Sequence, residues 1–241
     1  MTRKIIVLAL VIMSIISCKT DKKENTNLHL TGNIEGLSQG KLYIQQVQDS
    51  SLVVLDSIMI KGDSKFESYL NIESPEMLYL FLDRGQTNSI DNNLPFFAEP
   101  GKMHIETTLN SFFADAKITG SKNHDLYVEF TKMRSKFNEK SMDLMEKELE
   151  NLQIKNKNDL DSISSEANKL KRKKYLYVAN YASLHGDKEI APFLALSEIA
   201  DINIRYLDTI DSKMNSEVAK SKYGKMLKSY IEERKKLEPQ E

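Results

Sequence analysis

The glycines and prolines of this chain are distributed unevenly, and this limits what its two halves can form. Seven of the nine glycines and three of the five prolines lie within the first 120 residues. The rest of the chain is rich in Lys, Glu, Leu and Met, which are good helix formers. The sequence therefore predicts an α+β protein in which a strand-rich region precedes a helical one.

Short apolar segments separated by turn residues occupy residues 28–120 and alternate with the period of half-buried strands. The segment "VLDSIMIKGDSKFESYLNI" predicts a hairpin with Gly62–Asp63 in its turn. The segment "LPFFAEPGKMHIETTL" predicts another, with Pro100–Gly101 at its corner. The apolar run "EMLYLFL" predicts a central strand covered on both faces. Seven or eight such strands indicate an antiparallel β-sandwich.

Residues 121–237 are predicted to be helical. Ser121 is placed to cap a first helix, and a second is expected to begin near Asp159 and to end at Gly186. One or two short helices follow around Pro192, and a last helix is expected to begin at Asn215 or Ser216.

Each long helix carries apolar residues at intervals of three and four, which places them on one face. On the first helix these residues are Leu126, Phe130, Met133 and Phe137 and then, after a polar turn, Met145, Leu149 and Leu152. On the second they are Leu160, Ile163, Ala167, Leu170, Tyr177, Tyr181 and Leu184, and on the last they are Ala219, Tyr223, Met226, Tyr230 and Leu237. The second stripe is expected to pack within the molecule, although it would also suit a partner helix.

Residues 1–17 have the composition of a secretory signal peptide. Arg3 and Lys4 precede an apolar run that begins at Ile5. Read as a helix, Ile5 to Ser17 covers only about 20 Å, whereas the hydrocarbon core of a bilayer is about 30 Å thick. The run is therefore interpreted as a signal peptide and not as a membrane span.

The sequence "IISC" at the end of this segment resembles the bacterial lipobox, in which aliphatic and small residues precede a cysteine. The resemblance implies cleavage between Ser17 and Cys18, attachment of diacylglycerol to the Cys18 sulfur, and acylation of the new amino terminus. Two or more acyl chains anchor a protein firmly. We therefore expect a lipoprotein of the cell envelope, anchored to the outer membrane with its body on the periplasmic or the surface face. The alternative is an ordinary secreted protein with a leftover cysteine.

Lipidation of Cys18 would leave the mature protein without a free thiol, since Cys18 is the only cysteine. Disulfides, thiolate metal sites and cysteine nucleophiles would then be excluded. Residues 18–27 are polar and are expected to form a tether. From Cys18 onward the chain carries 32 basic and 35 acidic residues, a balance that gives no indication of a nucleic-acid partner.

Four segments give the first half of the chain a resemblance to a known family. They are, in order, "TGNIEGLSQGKLYI", "LDSIMIKGDSKFES", "FFAEPGKMHI" and "AKITGSKNHDLYVEF". In this order they resemble the domain of unknown function 4369, which is common in the N-terminal part of envelope lipoproteins. In many relatives a helical continuation is followed by a thioredoxin-like domain with a Cys-x-x-Cys pair. No such pair occurs here, so the thiol–disulfide exchange of those relatives is carried over to no residue of this sequence.

The sequence contains no catalytic or metal-binding motif that we recognise. The histidines His29, His104, His124 and His185 show no i, i+4 pairing, and each is expected to be structural or exposed. The polar run Asn123–Asp125 is interpreted as a helix start. No P-loop, nucleophile elbow or dinucleotide fingerprint is present. We therefore predict no catalytic residue, no cofactor and no metal.

Five cations, Lys169 and Lys171 to Lys174, lie close together beside Tyr175 and Tyr177. Such a cluster would suit anionic lipid headgroups or acidic glycans. The simpler interpretation is a solvated helix face whose aliphatic stems cover apolar neighbours.

These features together favour a membrane-anchored binding or scaffold module whose ligand the sequence does not identify. Its expected partners are the membrane, through the lipid anchor, and an envelope protein, and the oligomeric state is left open. Two alternatives stay open as well. The protein could be an accessory partner of a separate thiol–disulfide oxidoreductase, or an enzyme whose site is assembled from dispersed Asp, Glu and His side chains.

Overall fold

The computed structural model describes residues 25–48, 51–85, 90–154 and 157–237. The predicted signal peptide, Cys18 and most of the predicted tether lie outside these residues. Within the described residues, eight strands precede five α-helices. The predicted α+β class is therefore confirmed.

The strands form two four-stranded sheets, and most neighbours are antiparallel. The strands are β1 (Leu28–Glu35), β2 (Gln39–Gln48), β3 (Ser51–Lys61), β4 (Lys65–Leu70), β5 (Glu76–Asp83), β6 (Asn93–Ala98), β7 (Gly101–Thr108) and β8 (Lys117–Thr119). The first sheet has the order β4-β1-β7-β8 and the second the order β3-β2-β5-β6. The exception to the antiparallel pattern is β1, which pairs with β7 in parallel.

Both predicted hairpins are wrong. The strand β3 pairs with β2, whereas β4 pairs with β1, so the chain crosses from one sheet to the other at Gly62. The same holds for β6 and β7, which pair with β5 and β1. A corner between two packed sheets needs the same turn residues and the same alternation as a hairpin. On β4 the alternate residues Phe66, Ser68 and Leu70 are buried.

An apolar core lies between the two sheets and is built from alternate residues of both. Leu30 and Ile105 of the first sheet and Leu42, Leu80 and Phe96 of the second are fully buried in it. This alternation is what a sandwich requires, since successive side chains of a strand point to opposite faces.

The helices form a second core on the outer face of the second sheet. They are α1 (Lys122–Ile154), α2 (Lys157–Leu184), α3 (Ile190–Glu198), α4 (Ile204–Lys213) and α5 (Lys222–Leu237). Met77 and Tyr79 of β5 and Phe97 of β6 pack against these helices, while Leu78, Leu80 and Leu82 face the other sheet. The prediction that "EMLYLFL" forms a central strand covered on both faces is therefore confirmed.

The helix boundaries agree with the prediction at the first helix and differ at the last. Ser121 caps α1, because its Oγ accepts the His124 N–H at 2.9 Å. The last helix begins at Lys222, since a 3-10 turn at Val218–Lys220 precedes it. Its buried face includes Leu227 and Ile231 in place of the predicted Met226 and Leu237, which are exposed.

The distal parts of α1 and α2 form an arm, which we define as residues 135–154 and 157–173. At its base Arg134 of α1 and Lys174 of α2 both bond to Glu198 of α3, at 3.0 and 2.9 Å. Beyond Arg134, α1 continues for about 30 Å at roughly 1.5 Å per residue. The polar turn predicted within the first helix is absent from this described segment, and Met145, Leu149 and Leu152 are exposed along it.

Candidate binding surfaces

The one residue to which the sequence assigns a functional role, Cys18, lies outside the described residues. Its predicted lipidation therefore stays a prediction. The other residues singled out in the sequence, namely the histidines, the polar helix start and the cation cluster, are placed by the structure and are described in turn.

Two of the histidines lie on the solvent-facing side of the first sheet. His29 bonds to Glu67 at 2.7 Å and stacks on the ring of Tyr69, with the ring centroids 4.4 Å apart. His104 contacts Glu106 at 3.2 Å, and the hydrogen bonds that Glu106 accepts from Asn33 and His104 lower the pKa of its carboxyl group. The His29–Glu67 and Asn33–Glu106 contacts cross neighbouring strands, whereas His104 and Glu106 lie on the same strand.

The polar helix start is a buried junction between the sandwich and the helices. The Asn123 Nδ2 group donates to Glu189 Oε2 at 2.9 Å, and Asn123 Oδ1 accepts the Ile190 N–H at 2.8 Å. Glu99, directly after β6, accepts from the Asn123 N–H at 3.1 Å and from the Ser121 hydroxyl at 2.9 Å. Asn123 thereby connects β6, α1 and α3.

His124 belongs to the same junction and acts there as a hydrogen-bond acceptor. Its Nδ1 atom accepts the main-chain N–H of Phe97 at 3.3 Å. Burial lowers the pKa of His124 to about 4, although the nearby Asp125 acts in the opposite direction. The imidazole is therefore neutral at physiological pH, as this hydrogen bond requires.

Glu189 is the carboxyl group in this junction whose pKa is raised. Burial raises the pKa of its carboxyl group, and the hydrogen bond from Asn123 opposes the rise. Raised carboxyl pKa values also occur in structural networks. Here Asn123 and Glu189 bond to each other, and the junction is best explained as a structural bracket. No sequence motif points to Glu99 or Glu189, because they lie far from Asn123 along the chain.

The remaining histidine and the possible metal ligands do not form a centre. His185 packs against Tyr181 at the end of α2, with ring centroids 4.5 Å apart. Among the residues that the structure describes, no three His, Cys, Asp or Glu side chains are grouped so as to hold a metal ion.

The predicted cation cluster is divided between different surroundings. Lys169 and Lys173 line a groove of about 390 Å³ between α1 and α2. Lys171 pairs with Asp201 at 3.4 Å and Lys174 with Glu198 at 2.9 Å. The groove is lined by Phe137, Lys140, Asp143, Leu144, Lys147, Glu166, Lys169, Leu170 and Lys173. Because two of the five cations are paired and carboxylates share the groove, the cluster does not form a uniform anion-binding surface.

Two groups of neighbouring apolar residues are exposed in the part of the chain that the structure describes. One is the row Met142, Met145, Leu149 and Leu152 on the arm, whose side chains are between 54% and 70% exposed. The other is the β2–β3 tip, where Leu52 to Leu55 are all exposed. Single exposed apolar residues are ordinary, whereas contiguous patches often mark binding surfaces.

None of the described helices combines the length and the apolar character that crossing a bilayer requires.

Comparison with known proteins places the sandwich in a family. A family model described as "Domain of unknown function (DUF4369)" matches residues 28–127. The matched segment contains all eight described strands and the beginning of α1. No curated protein shows significant similarity to the chain. Residues 28–127 therefore match the DUF4369 family, as the order of the turn and strand segments predicts.

Proposed function

We propose that this protein is a membrane-anchored lipoprotein of the cell envelope that acts as a binding or scaffold module. The proposal combines the sequence around Cys18 with the geometry of the arm. The observation that carries it is the apolar row on α1, which lies beyond the last ion pair between α1 and the body.

The exposed row has no evident structural purpose within the described residues. The core between the sheets and the core under the helices are completed by residues of the body, such as Phe130, Val178 and Leu194. Large apolar side chains on an extended arm gain little from exposure to water. Such an arm is suited to contact a partner, because amphipathic helices are a common means of protein recognition.

The anchor would hold this arm near a membrane. If residues 18–27 form a flexible tether, ten residues span about 17 Å on average. The body would then be confined near the bilayer yet free to reorient, which raises the effective concentration of partners held in the same membrane.

Acid–base catalysis is less well supported than binding. The carboxylates and the imidazole of the buried junction bond to one another and to the main chain. His104 and His185 have other neighbours, on the first sheet and at the end of α2. The contacts described here therefore do not assemble the Asp, Glu and His side chains that the alternative hypothesis, an enzyme with a dispersed site, requires.

The test has two arms, one for the anchor and one for binding. Metabolic labelling with an alkyne fatty acid compares the wild type with Cys18→Ala, and only the wild type should be labelled and sediment with membranes. A photo-crosslinking residue at position 145 in intact cells should give a discrete adduct, while one at the exposed position 117 on β8 should not. Equal labelling of both chains would refute the anchor, and the absence of adducts from any surface position would refute the binding role.

A further inference from the structure

We infer that the arm binds a cationic amphipathic helix of another envelope protein along the row Met142, Met145, Leu149 and Leu152, which we call the seam. This inference rests on the proposed function, since it names the chemistry of the partner that a binding module of this shape would take.

The seam has the spacing of a helix-packing surface. Its residues are separated by three, four and three positions, which is the spacing of positions a and d in a heptad. The row extends over about 15 Å of helix. All four side chains are more than half exposed.

A different side of α1 provides the contact with α2. Phe137 and Leu144, seven residues apart, line the groove with Leu170 of α2, and Phe137 also contacts the ring of Tyr177. The arm therefore holds its two helices together without the seam. The seam is left as a second apolar stripe, which is parallel to the helix axis and suits another helix better than an extended strand.

The charges around the seam select among helical partners. Between residues 141 and 154, α1 carries four carboxylates and one lysine. Glu146 and Glu148 occupy the heptad positions on either side of the seam, and both are exposed. Neither makes an ion pair with any residue that the structure describes. Carboxylates at these positions favour a partner with Lys or Arg at its own flanking positions.

The same charges disfavour two other occupants. The seam is symmetric about Lys147, so an antiparallel second copy could align its apolar residues. That alignment would bring Glu146 and Glu148 of both copies together near the twofold axis, where they would repel. An anionic lipid surface is disfavoured by the same carboxylates.

The decisive experiment uses designed peptides and the chain from residue 18 to residue 241 with Cys18→Ala. Two fluorescent peptides of about 28 residues have Leu at positions a and d, with Lys in one and Glu in the other at positions e and g. Fluorescence anisotropy should show saturable binding of the cationic peptide and none of the acidic one. The double variant Met145→Gln, Leu149→Gln should weaken the binding of the cationic peptide at least about tenfold.

Two further variants separate the contributions. Glu146→Gln with Glu148→Gln should weaken binding several-fold and reduce its dependence on salt. Leu52→Gln with Val54→Gln changes the other exposed apolar surface and should leave binding unchanged. All substituted positions are exposed, so circular dichroism is expected to show unaltered folding.

Four outcomes would overturn the inference. The first is binding of the cationic peptide that the seam variants do not change. The second is a dimer in sedimentation analysis that the seam variants dissociate, which would assign the seam to a second copy. The third is binding to anionic vesicles that depends on the seam. A cellular adduct formed from the body and unaffected by the seam variants would likewise overturn the inference while leaving the binding function intact.

Discussion

The hydroxyl group of Tyr223 on α5 accepts a hydrogen bond at 3.0 Å from the main-chain N–H of Met77 on β5. This N–H lies one residue before the stretch of β5 that pairs with β2, which begins at Leu78. A side chain of a helix therefore provides the hydrogen-bond acceptor for a buried main-chain N–H group of a strand. The Tyr223 ring also packs against Phe97 of β6 and Phe193 of α3, so one residue links the sandwich to two helices.

Substitution of Tyr223 by Phe tests this link. The ring contacts would be kept, but the Met77 N–H would be left buried without its acceptor, at a cost of about 1–3 kcal/mol in the free energy of unfolding. Urea denaturation measures the effect. Tyr206→Phe on α4 is the control, because Tyr206 is exposed and its change should leave the midpoint unaltered. Equal midpoints for both variants would show that the hydrogen bond does not matter.

His124 should make stability depend on pH. Its pKa is about 4 in the folded protein against an ordinary 6.5, so the unfolded chain binds the proton more readily between these values. The stabilisation is fully present above pH 6.5 and is lost as the pH falls towards 4. Near pH 5 the loss is about 2 kcal/mol. A protonated Nδ1 could no longer accept the Phe97 N–H.

Urea titrations at neutral pH and near pH 5 provide the measurement for this prediction. His124→Gln should flatten the difference between the two conditions, whereas His104→Gln, on the exposed face of the first sheet, should preserve it. If His124→Gln keeps the full difference, another group is responsible for the pH dependence.

Glu189 should affect the pH dependence of stability in the direction opposite to that of His124, and Glu189→Gln tests this. The raised pKa means that the fold disfavours the ionised carboxyl group, so its contribution is most favourable below the ordinary value of 4.5 and is lost as the pH rises through the folded pKa. A glutamine oxygen can still accept from Asn123 without carrying a charge. The denaturation midpoint should rise at neutral pH, and the gain should vanish in acid. Glu217→Gln on the surface is the matched control, and a lower midpoint for Glu189→Gln would contradict the prediction.

Gly224 should tolerate no side chain although it lies inside a helix. Alanine usually stabilises a helix interior relative to glycine by about 1 kcal/mol. Here a Cβ atom would lie 2.0 Å from the carbonyl oxygen of Val218, which is fixed main chain. Gly224→Ala should therefore lower the free energy of unfolding by about 2 kcal/mol or more. Gly85→Ala, where a Cβ atom meets open space, should cost only about 1 kcal/mol through its positive φ. Thermal denaturation of both variants decides whether the close approach is real.

Removal of the arm should leave the body folded. The fully buried helix residues Phe130 and Val178 lie on the body side of the arm. Replacing residues 141–168 by a short Gly-Ser turn should therefore keep cooperative unfolding, with a free energy within about 1 kcal/mol of the wild type. The helical circular dichroism signal should fall, and binding of the cationic peptide should be lost. A chain that no longer unfolds cooperatively would show that the arm supports the body.

Sequence patterns identified those features whose cause is local. After Glu76 the strand "EMLYLFL" is an unbroken run of apolar and aromatic residues, because both of its faces are covered. Ser121 caps its helix through a local hydrogen bond, which does not depend on how the helix packs. Strand pairing could not be predicted in the same way. The turn residues around Gly62 suit a corner between two sheets as well as they suit a hairpin. The junction of Glu99, Asn123 and Glu189 depends on contacts between distant segments. Met145 and Leu149 have helical spacing whether or not a partner covers them, so only the structure reveals that they are exposed.

The parallel pairing of β1 with β7 has a consequence for how the chain is made. β1 is synthesised before the other strands. Asn33 of β1 can bond to Glu106 only after the 73 residues that separate them along the chain have been made. Such distant pairings are slow because the loop between them must close first. Until β7 is made, the edge of β1 that pairs with β7 has no hydrogen-bonding partner, and the incomplete chain is vulnerable to aggregation during that interval. A chaperone that meets the incomplete chain should therefore recognise the segment that contains β1.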